Sequence, residues 1–485
     1  MKLKRLPEDF LVEERLLIPL TDPRALPTSD LDCDDSQAQG VSSGSESSLG
    51  QTSSDQPIAR GEFVLYRLTK IGLGTPEALE AIRRRWNLPR ASLSVGGLKD
   101  RHARTIQYLT IRRGPWRRLR QSRLELVPVG TMSRPYGPRD FAGNRFSLVL
   151  RDLDRDALER AKRGLESLER DGLPNYFDDQ RFGSVGFTGE FQAASWLKGD
   201  HARALWLAIA QANPLDRPHA RHEKELLRAH WGDWLAAKAA LPRGHARSLV
   251  TYLVDHPEDF RGAFARLRYD DRSIAFSAFQ SHIWNLALAS WIRHHLPETR
   301  RLEIPFKLGP LPIPHHLDPF HAETLNHLRV PLPSARNPKP VGEWAGHFAR
   351  ALDPFGLTWD DLRVRHLKDL FLSKGDRPAL IRPERVRFES QPDELYPRRS
   401  KLILQFDLPR GSYATILVKR ITAFVESLER GRSFTLGPPS QPSETRGGDH
   451  DELSPPSLPQ PRRRRPQPRR KRPGFNPLAD DRFTP

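Results

Sequence analysis

The stretch that decides the fold is Lys401–Ile421, KLILQFDLPRGSYATILVKRI. Its first half has strand texture. It follows residues 186–390, which read as helices and proline-rich turns. A strand so late in the chain needs a sheet to join, and the other strand patterns all lie far upstream. The spacing therefore predicts a discontinuous first domain, 1–185 and 391–432, with 186–390 inserted into it. Within the same stretch, Pro-Arg-Gly-Ser at 409–412 reads as a loop before a helix. The amides of such a helix start can hold a phosphate.

The upstream strands are GEFVLYRLTKIG (61–72), HARTIQYLTIRR (102–113) and NRFSLVLRDL (144–153), each alternating in polarity. Between them, TPEALEAIRRRWNL (75–88) has Thr75 as a helix cap, Pro76 at the first helical position and an acid in the first turn. Then DRDALERAKRGLESLERDG (154–172) sets Ala157, Leu158, Ala161, Leu165 and Leu168 at helical spacing and stops at Gly172. Strand, helix, strand, strand, helix makes an α+β sheet domain. From Val185 onward the texture is helical. In IAFSAFQSHIWNLALASWIRHHL (274–296), Phe276, Phe279, Ile283, Trp284, Ala287 and Trp291 share one face, the pattern of a packed core helix.

Composition narrows the function. The chain has 485 residues, enough for two or three domains. No uncharged apolar run is long enough to span a membrane, and the N-terminus turns acidic before a signal-peptide core forms. The single cysteine, Cys33, excludes an internal disulfide framework and a cysteine-cluster metal site, and fits a reducing, cytoplasmic compartment. Net charge is +18. Segment 28–57 holds six acids and no lysine or arginine, so the rest is more basic than the whole. A basic field of that size attracts polyanions, nucleic acid above all. Segments 28–57 and 433–485 are polar and low in complexity, and are expected to be disordered. The second carries eight basic residues between Arg462 and Arg472, which suit a nonspecific RNA tether as well as a solvated tail.

One carboxylate stands out. In VGGLKDRHARTIQYLTI (95–111), Asp100 sits between Lys99 and Arg101 just after Gly96 and Gly97. Glycines let backbone approach a ligand closely. Flanking cations keep a carboxylate ionised, able to act as a nucleophile at an anomeric carbon or as a base. A salt-bridged structural turn is the plainer explanation of an arbitrary Lys-Asp pair. A retaining glycosidase would need a second carboxylate, and no comparable turn supplies one. GNRF (143–146) pairs Asn144 with Phe146, an amide for a base edge and a ring for its face. GLPNYFDDQRFGS (172–184) sets Tyr176 and Phe177 close to Gln180 and Arg181. No Walker A loop, dinucleotide fingerprint or HExxH motif occurs. The histidines of RHHL and PHH lack ligand partners at regular spacing, so no metal is expected.

In order, KRLPEDFLVEE (4–14), GEFVLYRLTKIGLGT (61–75), GLKDRHARTIQ (97–107), GNRFSLVLR (143–151), GLPNYFDDQRFG (172–183), SAFQSHIWN (277–285) and LPRGSYATILVKRI (408–421) resemble the TruD family of tRNA pseudouridine synthases. The resemblance implies an α+β catalytic domain with a mixed sheet and a family-specific inserted α+β domain at 186–390. It implies isomerisation of a tRNA uridine, position 13 of the D-stem, to pseudouridine, with no cofactor or metal and with tRNA as the partner; a monomer is expected, although the oligomeric state is not readable from the sequence. It places the essential aspartate at Asp100, the stacking aromatic at Phe146 with Asn144 beside it, and the N-terminal Lys and Phe at Lys4 and Phe10. Lys99, Arg101, Gln180 and Arg181 are further expected RNA contacts. Asp178 departs from the family, which commonly has a small residue there. Two rivals stand beside this reading: a noncatalytic RNA-binding protein on the same scaffold, and a nucleoside-cleaving enzyme that would release free uracil.

Overall fold

A computed structural model of the chain describes residues 1–18, 62–101 and 103–427. The expected disordered segments 28–57 and 433–485, and the compartment argument from Cys33, lie outside the described residues.

The centre is a nine-stranded mixed sheet. Its strands are β1 (Phe10–Leu16), β2 (Phe63–Ile71), β3 (Leu93–Val95), β4 (Arg104–Arg112), β5 (Leu119–Gln121), β6 (Leu124–Met132), β7 (Phe141–Leu153), β8 (Glu384–Pro392) and β9 (Ser400–Pro409). The order is β8-β9-β7-β1-β4-β2-β6-β5, with β3 also on β4. Only β1 and β4 run parallel, Leu11 opposite Arg104. β3 takes up the far end of β4, Leu93 opposite Ile111. The parallel pair sets the site: the segment that enters β1 and the loop that enters β4 arrive at the same end of the sheet.

Alternation assigns the faces. Phe10, Val12 and Glu14 of β1 are buried, as are Phe146, Leu148 and Leu150 of β7 and Leu402, Leu404, Phe406 and Leu408 of β9. α2 (Arg155–Asp171) packs on this face and against the last described helix, Ala414–Ser427, which joins the same hydrophobic core. Asp154 caps α2 by accepting from the Ala157 amide at 2.8 Å, and Gly172 ends it at φ +65°. Gly164 lets the two helices touch, since a Cβ there would lie 3.1 Å from the Ile421 Cα. Gly143, first residue of GNRF, has a similar cause: a Cβ would fall 2.1 Å from the Leu408 carbonyl oxygen of β9.

Three sequence expectations change. Thr75 does not cap the helix it begins, α1 (Thr75–Arg85); the cap position belongs to Gly74. Thr75 is buried, accepting from the Lys99 amide at 2.9 Å and donating to Gln107 Oε1 at 2.9 Å. Second, the expected boundary at residue 390 falls inside β8. That strand is exposed along most of its length and lacks the alternation that marks a half-buried strand. Third, the long helix Tyr269–His295 (α3) is buried on more than one side. Phe276, Phe279, Ile283, Trp284, Ala287 and Trp291 are all inside, and so are Gln280, His282 and Asn285. Between Gln192 and Ile381 the described residues form helices and short two-stranded pairs, and none joins the nine-stranded sheet. They share a continuous hydrophobic core with its helix-covered face.

Candidate active site

The parallel β1–β4 pair and the β9-to-helix loop enclose a cleft of about 500 Å³. Phe10, Lys99, Asp100, Asn144, Phe146 and Gln180 line it, opposite the loop Arg410–Tyr413. The structure thus brings Asp100 together with most of the residues expected to join it.

The floor of the cleft is an ionic network. Glu14 and Asn144 stand opposite each other across β1 and β7. Lys99 bridges them, 2.8 Å from Glu14 Oε1 and donating to Asn144 Oδ1 at 2.9 Å. The other Glu14 oxygen accepts from the Tyr108 amide at 2.9 Å and the Tyr136 hydroxyl at 3.0 Å. Burial and the Glu14 charge push the Tyr136 hydroxyl far up, so it stays a donor. Glu14 is fully enclosed, and such a carboxylate is tolerable only when paired and hydrogen-bonded. The contact from Lys99 also orients Asn144. With Oδ1 occupied, the Nδ2 amide is left as a donor toward the cleft.

Asp100 lies at the rim of this floor with its side chain 23% exposed. Its carboxylate pairs with the Lys4 ammonium. Lys4 reaches it from a left-handed backbone, φ +57°, and its Nζ also lies 4.1 Å above the Phe10 ring. A non-glycine residue in that region is uncommon and strained unless its surroundings fix it. Beneath the loop, buried Lys70 donates to the carbonyls of Asp100 at 2.9 Å and Leu73 at 2.7 Å. Burial pushes its ammonium down to about 8, against the pull of the Asp100 charge. The loop is thus tied by its own backbone, through Lys70 and Thr75, while its carboxylate reaches the cleft.

Phe146 is buried at 6% exposure and stacks on Phe406, centroids 5.5 Å apart. Phe10 meets it edge-on at 6.3 Å. One face of the ring is therefore used internally, and its contribution to the cleft is the remainder. On the opposite wall, Arg377 anchors the Arg410–Tyr413 loop. It donates to the Gly411 carbonyl at 2.8 Å and to Asn175 Oδ1 at 2.6 Å, and lies 4.2 Å from the Phe177 ring centroid. Arg410 is exposed at the mouth and makes no ion pair among the described residues, a cation available to a phosphate.

Two expected contacts fall elsewhere, and Lys99, although it lines the cleft, is held by Glu14 and Asn144. Arg101 turns out to pair with Glu77, and Arg181 donates to Ser281 of α3 at 3.3 Å. Nor does Gly96 make room for a ligand: a Cβ there would lie 2.8 Å from the Phe141 ring and 2.9 Å from that of Tyr136. Gly97 faces open space. The departing Asp178 has a structural partner set, Lys419 at 2.9 Å and the Thr415 hydroxyl at 2.6 Å, which fixes the start of the last helix. The motif SAFQSHIWN serves packing as well: Asn285 exchanges two hydrogen bonds with the Phe177 backbone, 2.9 and 2.8 Å.

Sequence reasoning missed Glu14, Lys70, Arg410 and Tyr413 as site residues. The first two were detectable, since each puts a charge on the apolar phase of an alternating strand.

Residues 1–303 match the family described as "TruD: tRNA pseudouridine synthase D (TruD)". "Probable tRNA pseudouridine synthase D 2" of Methanocaldococcus jannaschii is 30% identical over 384 residues, covering 77% of this chain and 89% of that protein. The tRNA pseudouridine synthase D of Aquifex aeolicus is 26% identical over 370 residues, 75% and 92% of the two chains. A TruD crystal structure from Methanosarcina mazei superposes with a TM-score of 0.58 at 22% identity, covering 87% of this chain and 93% of its own, which shows a shared fold.

Proposed function

The chain belongs to the TruD family of tRNA pseudouridine synthases, and from that premise we propose that it isomerises uridine 13 in the D-stem of tRNA to pseudouridine, with Asp100 as the essential carboxylate. The observation that carries the reading is the placement of Asp100. It is a partly exposed acid on a backbone-tethered loop, facing an aromatic wall and an amide donor in one cleft.

The chemistry follows from the parts. A base in a stem must leave its stack, at a cost of a few kcal/mol. Contact with Phe146 and Phe10 offsets roughly 1–3 kcal/mol of that cost. The Asn144 amide donates to a uracil carbonyl, and Arg410 meets a flanking phosphate. Asp100 then acts on the ribose along one of two routes. As a nucleophile it bonds to the anomeric carbon while the N-glycosidic electron pair leaves with the uracil. As a base it takes a sugar proton, and the same bond breaks. On either route the uracil turns in the cleft and its C5 bonds to the anomeric carbon, displacing the Asp100 carboxylate on the first route and, on the second, as Asp100 returns its proton to the sugar. The C5 proton is lost, N1 gains one, and nothing is released. All of these parts come from one chain, which suits a monomer acting on tRNA in the cytoplasm. No helix among the described residues is long and apolar enough to cross a membrane.

Mapping pseudouridine in tRNA incubated with and without the protein tests the assignment. A single new pseudouridine at position 13 is expected. Modification at another uridine would overturn the position, and release of free uracil would overturn the reaction.

A further inference from the structure

Away from the cleft, the last turn of α3 meets a second helix, α4 (Glu343–Leu352). Glu343 and His347 are four residues apart on α4 and so share a face. His295 is the last residue of α3. One ligand atom from each of these three residues lies within 4.8 Å of the others. Glu343 Oε2 is 2.8 Å from His295 Nε2, and Glu343 Oε1 accepts from the Trp291 indole at 3.0 Å. The Trp291 ring stacks on His295, centroids 4.2 Å apart.

His347 is the telling member. It is fully buried, yet its Nε2 has no hydrogen-bond partner. Its Nδ1 is 3.0 Å from the Ser290 hydroxyl and 2.8 Å from the Arg350 guanidinium. If Nδ1 accepts from Arg350, the ring proton sits on Nε2, a buried donor with nothing to donate to. Orphaned buried donors are rare and destabilising. If instead Nδ1 carries the proton and donates to Ser290, the Nε2 lone pair is open and needs an electrophile. Arg350 is exposed and can yield its contact.

We propose that His295, Glu343 and His347 bind a divalent transition-metal ion, with zinc the expected occupant, clamping the end of α3 to α4. Two imidazoles and a carboxylate are a borderline donor set suited to zinc, and water completes the tetrahedron. Bonds of about 2.0–2.1 Å bring ligand atoms to roughly 3.3 Å apart. Half-buried His295 and exposed Glu343 can rotate that far. Groups that would orient the ligands are already in place: Ser290 beside His347 and the Trp291 indole on Glu343. The sequence hides this site because the partners of RHHL come from another helix.

The test uses full-length protein stripped with a chelator, then titrated with Zn2+ by calorimetry and thermal melting, and with Co2+ by visible absorption. The expected result is one ion per chain, a raised Tm and a tetrahedral Co2+ spectrum. His295→Asn and Glu343→Gln, both on accessible side chains, should each weaken binding by about 100-fold or more, and Ser290→Ala by about 10–100-fold. His347→Ala should abolish binding; if it does not fold, the other variants decide. Zn2+ that leaves Tm unchanged, or that binds His295→Asn and Glu343→Gln as tightly as the parent, would overturn the proposal. The second result would assign the ion to other histidines.

Discussion

Two aspartates show what distinguishes a reacting carboxylate from a holding one. Asp171, at the end of α2, is wholly enclosed. It takes hydrogen bonds from Arg420 at 3.0 Å, Arg170 at 2.9 Å and the amides of Leu317 at 3.0 Å and His316 at 3.2 Å. Burial alone would raise its acid range, but these donors win and hold it below the usual carboxylate value. Asp100 stands on a loop whose rigidity comes from backbone contacts to Lys70 and Thr75, and its side chain reaches a cleft. Both carboxylates sit beside cations. Asp171 is saturated by fixed donors in the core, whereas Asp100 is partly exposed where a ribose can reach it.

Asp100→Asn should show the largest effect. Turnover on tRNA is expected to fall at least ~10³-fold, the scale of one essential catalytic group, with Tm unchanged. Steady-state kinetics with a melt of the same sample would check both. Asp171→Asn should do the reverse. It leaves Arg420 buried without its counter-charge, a loss of about 3–5 kcal/mol in unfolding free energy by denaturant titration.

Lys70 sharpens the contrast through pH. Its folded-state pKa, about 8, lies below the ordinary 10.5. Between those values the unfolded chain binds more protons, so stability should rise with pH across that window. Below pH 8 the full cost of burying the ammonium applies. The integrated effect is on the order of 3 kcal/mol, and Lys70→Met should lack the rise. A parallel pH dependence in both proteins would remove Lys70 as its source. Phe146→Ala should weaken use of structured tRNA by roughly 1–3 kcal/mol in kcat/KM. If the ring only packs on Phe406, Tm falls and the turnover of folded protein stays the same.

Much of this layout was legible in the sequence. Alternation marks β2, β4 and β7, and Asp154 and Gly172 bracket α2 because capping chemistry is local. The late strand pattern at 401–409 is β9, which pairs with β7. Less legible are the β5–β6 hairpin and β8, an edge strand exposed along most of its length whose apolar phase is only Val386 and Phe388. In the site, the motif residues Asp100, Asn144, Phe146 and Phe10 meet because β1, β4 and β7 are neighbours. Side-chain direction was less legible. Lys99 and Arg101 flank the same acid, yet one enters the core and the other leaves it. That depends on Glu14 and Glu77, whose positions only the tertiary fold sets.

The most direct measurement puts the two aspartate variants into one assay. Asp100→Asn and Asp171→Asn are compared for pseudouridine formed per folded molecule, with tRNA affinity and Tm recorded for each. The account predicts a crossing: Asp100→Asn melts like the parent, binds tRNA and forms no pseudouridine, while Asp171→Asn melts earlier but turns over normally when folded. Near-parental turnover by Asp100→Asn, or activity lost in step with Tm in both variants, would contradict it.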